Sequence, residues 1–339
     1  MSKILTIDCG GSKCALTIWQ SSCAALAPQE LESLTVPTDF ATEQGLLPHL
    51  QQLCAKYGAE IEAAVLAAAG LASDSEGRVQ LTNNPCRLDL AALRKGLPQI
   101  SRWAVLNDLA AFAHALPSLS ANSGAVQTIC LGAADGPRLS GVCLAAAAGT
   151  GLGVAARLPG GRIVNTEAGH CSFVPESPAQ LELWQNLRAF IDRPCNEDLL
   201  SGRGLVNILH AYALGQPNLS ADLCRNLQPA EVSAIAKGEK AATPELTAAC
   251  GQTFRLFSEA AGQILSNLAL CFLSSGGIYI GGGVIAKIGD LFDREIFRQA
   301  FLKFCPFLEQ LAQIPIYLIQ SENTVSLGAA CYAERFLLG

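Results

Sequence analysis

The sequence predicts an α/β fold built as two α/β domains, on three observations. Short β-rich runs alternate with helical periodicities from one end of the chain to the other. Three of the runs end in glycine turns, at 10–11, 149–153 and 281–283. Both halves also open in the same way, with strands leading into a glycine turn.

The elements follow in order. Residues 3–7 and 15–19 are β-rich runs around Gly10-Gly11, the pattern of a β-hairpin. Leu46, Leu50, Leu53 and Cys54 give 43–57 the period of a helix, and 63–69 is a continuous apolar run, as in a strand buried on both faces. The strand expected at 103–106 ends on Asn107-Asp108, and either residue could cap the helix that begins there. In the second half, 126–131 and 142–148 read as strands. Leu181, Trp184, Leu187 and Ile191 mark a helix after Pro178, and Phe254, Phe257, Ala261, Ile264, Leu268 and Cys271 mark a long one. Strands are expected at 278–280 and 316–319, and a terminal helix at 327–338. No short internal repeat is visible.

With 339 residues, half of them hydrophobic and 15% charged, the chain can bury a large core. Its net charge of -6 argues against a nucleic-acid surface, which is usually basic. The 14 cysteines are scattered singly without a Cys-x-x-Cys pair, as expected of free thiols in a reducing compartment. Residues 260–286 carry no charge but include Gln263, Asn267, Gly276-Gly277 and Gly281-Gly282-Gly283, which suits a helix followed by a strand better than a membrane span. The N-terminus reaches a charge too soon for a signal peptide, so a soluble, cytoplasmic protein with no membrane partner is expected.

The glycine turns carry chemistry because backbone N–H groups in them can approach an anion closely. A tight turn is the ordinary alternative for each. Asp8 precedes the first, where a carboxylate could hold a hydrated Mg²⁺ against phosphates, and Thr150 lies within the second, where its hydroxyl could reach a phosphate. None of the three follows the P-loop or dinucleotide spacing.

Taken together, Asp8-x-Gly-Gly-Ser-Lys13, Leu106-Asn-Asp108, Gly149-Thr-Gly-Leu-Gly-Val154, Glu167-x-Gly-His170, Leu200-Ser-Gly-x-Gly-Leu205 and Ile280-Gly-Gly-Gly283 resemble the bacterial glucokinase family, in family order from residue 8 to about 328. That family belongs to the sugar kinase and actin-like ATPase superfamily. The resemblance implies two actin-like ATPase (ribonuclease H-like) domains with a cleft between them. One comprises 1–108 with a returning C-terminal helix at 323–339, the other 109–322. It implies ATP-dependent phosphorylation of glucose to glucose 6-phosphate. ATP and Mg²⁺ would lie on Asp8, Gly10, Gly11, Ser12, Lys13, Gly149, Thr150, Gly151, Gly281, Gly282 and Gly283, with Asp8 meeting the metal through water. Asp108 is then the general base, and Asn83, Asn107, Asp108, Glu167, His170 and Glu197 bind the sugar.

Each of these roles has a structural alternative: a helix cap for Asp108, a solvated acid and a satisfied histidine for Glu167 and His170, a surface acid for Glu197. Other readings are a kinase of mannose, fructose or an amino sugar, and a non-catalytic sugar sensor. The family is often dimeric, so a homodimer is one assembly the resemblance allows. Ala15 stands where many members have arginine, and Cys86 where an aromatic residue is frequent. A related group of kinases and repressors carries a cysteine-rich zinc motif after the histidine. Here 171–195 holds only Cys171 and Cys195, too few ligands for structural zinc.

Overall fold

The first strands are apolar along their length because both sheet faces are covered. In the computed structural model, which describes all residues except 1, 11–12, 23–26, 38–42, 74–77, 82–86, 120–125, 131–138, 304–305 and 322, the chain divides into two compact units. The first comprises Met1–Ser120, Gly161–Asn165 and Asn323–Gly339, and the second Ala121–Gly160 and Thr166–Glu322.

The first unit contains β1 (Lys3–Cys9), β2 (Lys13–Gln20), β3 (Gln29–Pro37), β4 (Ile61–Ala68), β5 (Gly70–Ser73), β6 (Arg78–Leu81), β7 (Arg87–Asp89) and β8 (Arg102–Asn107). Its main sheet runs β3-β2-β1-β4-β8, with β1 antiparallel to β2 and parallel to β4, and β4 parallel to β8. Strands β5, β6 and β7 form a small antiparallel sheet. Helices α1 (Glu43–Ala55), α2 (Leu90–Gly96) and α3 (Asp108–Ala115) complete this stretch.

Side chains alternate across the sheet with a period of two. Leu5, Ile7 and Cys9 of β1 and Ala64, Leu66 and Ala68 of β4 join a core with Leu46 and Leu50 of α1 and Leu93 of α2. In that core Cys14 Sγ lies 2.9 Å from Cys9 Sγ. Ile4, Ala63, Val65 and Ala67 point to the other face, against Ala111 of α3 and Ala329, Ala330 and Ala333 near the C-terminus. The polar groups on that face satisfy each other: Thr6 Oγ1 and Ser326 Oγ are 2.6 Å apart, and Trp19 Nε1–H donates to both. Asp8 belongs to the same face by the alternation, which turns it toward the side where α3 lies.

The second unit carries β9 (Val126–Cys130), β10 (Cys143–Ala148), β11 (Leu152–Arg157), β13 (Gly277–Gly281) and β14 (Ile316–Ile319), while the boundary between the units falls within β12 (Ile163–Thr166). These five strands run in the order β11-β10-β13-β14-β9. Again a hairpin strand, β11, is antiparallel to its predecessor, and β13 lies parallel on the other side of β10. Helices α4 (Pro178–Leu187), α5 (Gly202–Leu214), α6 (Ala221–Arg225), α7 (Pro229–Ala236), the long α8 (Pro244–Phe272), α9 (Gly283–Ile288), α10 (Arg294–Phe301) and α11 (Leu308–Ala312) belong to this unit. Helix α12 (Thr324–Ala333) belongs to the first.

The expected break after 108 falls inside the first unit. Helix α3 packs so closely on α12 that a Cβ at Gly328 would sit 1.7 Å from the Ala111 carbonyl oxygen, and the unit continues to Ser120. The terminal helix expected over 327–338 begins earlier, at Thr324, and turns into a π-helix at Glu334–Leu338. The helix after Pro178 stops at Leu187, short of Ile191. Among the described residues, no helix is long and apolar enough to cross a membrane.

Candidate active site

Most of the candidate residues sit at the carboxyl ends of parallel strands, where α/β sheets commonly bind ligands. In the first unit β1 ends with Asp8 and Cys9, its neighbour β4 ends at Ala68, and β8 ends at Asn107, which pairs with Ala68. Gly10 N–H donates to the Lys13 carbonyl at 3.0 Å. Gly11, Ser12 and Asn83, with Cys86, lie outside the described residues.

The choice between Asn107 and Asp108 as helix cap is resolved by hydrogen bonding. Asn107 has extended backbone, and its Oδ1 accepts from Leu109 N–H at 2.9 Å and Ala110 N–H at 3.3 Å. It is the N-cap, and Asp108 is the first residue of α3. Asp108 Oδ1 shares the Leu109 N–H at 2.9 Å. Because the helix starts at the edge of the face that carries Asp8, the two carboxylates act on each other. Burial, and then the Asp108 charge, push the Asp8 carboxyl from 3.8 up to about 7, while the Lys13 ammonium works in the opposite direction.

In the second unit β10 runs into Gly149-Thr150-Gly151 and β13 into Gly281-Gly282-Gly283. These strands are parallel neighbours, with Ala147 opposite Gly281, so the two turns emerge side by side. Gly282 has φ +84°, and a Cβ there would lie 2.3 Å from the Ala148 carbonyl oxygen, so any other residue would push the turns apart. Thr150 is exposed. Glu167 and His170 flank a single helical turn after β12, both exposed, with His170 Nε2 3.7 Å from Glu167 Oε2.

Glu197 departs from the surface acid that its local sequence suggests. It is 5% exposed. Its Oε2 accepts from Leu152 N–H at 2.8 Å, and its Oε1 meets Arg203 Nη2 at 2.5 Å. Oε2 also fills the space beside Gly151, where a Cβ would lie 2.1 Å from it. Glu197 thus braces the second glycine turn, a function that one sequence window cannot reveal. Arg203 was not among the expected residues. Its only sequence signal is that it occupies the open position of Leu-Ser-Gly-x-Gly-Leu.

The structure therefore gathers Asp8, Gly10, Lys13, Asn107 and Asp108 in one unit, and Gly149–Gly151, Glu167, His170, Glu197 and Gly281–Gly283 in the other. Known proteins resemble this chain along most of its length. The family model described as glucokinase matches residues 5–336. The glucokinase of Aromatoleum aromaticum is 35% identical over 281 residues, 81% of this chain and 79% of that protein. That of Chromobacterium violaceum is 32% identical over 296 residues, 86% and 80% of the two chains. The crystal structure of a glucokinase from an Antarctic psychrotroph superposes with a TM-score of 0.81 at 24% identity, covering 99% of each chain. The fold is the two-domain actin-like ATPase fold, and the chain belongs to the glucokinase family.

Proposed function

We propose that the chain transfers the γ-phosphoryl group of ATP to the 6-hydroxyl of glucose, with Asp108 as the general base. The observation that carries this assignment is the division of labour at the start of α3. Asn107 makes the cap, so the helix does not need the Asp108 carboxylate for that purpose.

In the reaction the sugar O–H bond breaks, an O–P bond forms, and the bond from the γ-phosphorus to the bridging oxygen of ADP breaks. A positioned carboxylate orients the hydroxyl and takes its proton. Asn107, Glu167, His170 and Glu197, with Asn83, grip the other hydroxyls, each able to accept or donate in a different way. The glycine turns, Ser12, Thr150 and Lys13 hold the phosphates.

Mg²⁺ fits the Asp8 corner. Asp8 is held by burial and by Asp108 in a place where its charge is costly, and a cation would offset that cost. Asp8 would hold the ion through water, and the ion when bound supplies neutralisation of phosphate charge. The same reading places the enzyme in the cytoplasm, acting on sugar and nucleotide without nucleic-acid or membrane partners, alone or as a homodimer.

Asp108→Asn tests the assignment, because it keeps shape and removes the base. Loss of the carboxylate lowers kcat by roughly 100- to 10,000-fold, the usual range for general-base catalysis, with the thermal midpoint little changed. Retained glucose phosphorylation in a folded Asp108→Asn variant removes Asp108 from this role.

A further inference from the structure

Three separate segments meet around Glu197. Its side chain reaches Leu152, 45 positions earlier in the chain. The backbone adds a second tie to the same turn, from Gly202 N–H to the Gly149 carbonyl at 2.8 Å. The neighbouring Asn196 Nδ2–H donates to the Ala168 carbonyl at 3.0 Å, joining this segment to the Glu167–His170 turn.

A carboxylate with one backbone donor can rotate and exchange its oxygens. Here rotation is opposed by Arg203, which donates from Nη2 to Glu197 Oε1 and, at 3.3 Å, to Asp198 Oδ1. Asp198 is itself fixed, since its Oδ2 accepts from Cys195 N–H at 3.0 Å. The guanidinium therefore bridges one buried carboxylate to another that cannot move. A planar cation suits this task better than the point charge of a lysine.

We propose that Arg203 is a positioning residue. It holds the Glu197 side chain so that Oε2 faces the Leu152 N–H, and through it sets the shape of the Gly149–Leu152 turn. The consequence for ATP binding rests on the reading of that turn as phosphate-binding.

The test separates the clamp from that reading. Amide hydrogen exchange at Leu152, measured on the ligand-free full chain, reports the clamp directly. Steady-state KM for ATP and for glucose reports its use. Arg203→Met is expected to lower Leu152 protection at least tenfold and to raise KM for ATP about tenfold, with KM for glucose rising as well because Glu197 also grips the sugar. Arg203→Lys falls in between and serves if the methionine variant does not fold.

In a double-mutant cycle with Glu197→Gln, the KM effects are expected to be non-additive, because both changes act on one contact. Unchanged Leu152 protection in folded variants, or additive effects, overturns the clamp. Lost protection with an unchanged KM for ATP keeps the clamp and overturns phosphate binding by the turn.

Discussion

Asp8→Asn is expected to stabilise the ligand-free protein while it damages the enzyme. The Asp8 carboxyl is pushed from 3.8 up to about 7 by burial and by Asp108. Between those values the folded state keeps a proton that the unfolded chain has released. Stability contributed by protonated Asp8 is therefore fully present below about pH 3.8 and is lost as pH rises through about 7. A shift of about three units at about 1.4 kcal/mol per unit sets a ceiling of ~4 kcal/mol on the loss. An asparagine amide mimics the neutral acid at every pH.

Urea unfolding without nucleotide or metal, repeated from pH 4 to pH 8.5, should show the variant equal to wild type at the acid end. It should become more stable by up to ~4 kcal/mol above pH 7. Added Mg²⁺ with a non-hydrolysable ATP analogue should then stabilise wild type more than the variant, since only wild type has the carboxylate to bind it. Parallel stability curves for the two proteins across this range would refute the reasoning about Asp8.

Two further substitutions test the packing around the site. Gly151→Ala places a methyl group 2.1 Å from Glu197 Oε2, so Glu197 must swing away from Leu152. A stability loss of about 1–3 kcal/mol in urea unfolding and a roughly tenfold rise in KM for ATP are expected, these being common effects of overpacking and of a lost charge-assisted contact. Gly328→Ala drives a methyl group against the Ala111 carbonyl oxygen, 1.7 Å away, and must separate α12 from α3. Calorimetry should show Tm lower by about 4 °C, corresponding to about 3 kcal/mol in a chain of this size.

The central parallel strands were legible because burial on both faces makes them continuous apolar runs, as in 63–69 and 142–148. Strand β3 was not. It is a sheet edge whose Gln29, Glu30, Leu31, Ser33 and Thr35 are exposed, so it lacks an apolar pattern. The two units share a strand arrangement that no sequence repeat announces, since hydrogen-bond register and sheet order require only compatible apolar residues.

At the site, the motifs located the turns and the Asn107-Asp108 pair but could not divide the roles within that pair. Both residues are good caps, and only hydrogen-bond geometry distinguishes them. The burial of Glu197 was hidden for a different reason. It depends on Leu152 and Arg203, contacts made by the folded chain rather than by the local window. The segment Gly161–Asn165, which groups with the first unit, had no sequence signal of its own.

The most direct test is product formation by the purified chain with ATP, Mg²⁺ and a panel of glucose, mannose, fructose and glucosamine. ADP release and sugar phosphate would be measured together, with Asp108→Asn alongside. Glucose 6-phosphate formed one-for-one with ADP, glucose the preferred sugar, and ADP release that is negligible without sugar are the expected results. Binding of glucose without phosphorylation, a higher kcat/KM for another hexose, or ADP release at the same rate with and without sugar would contradict the account.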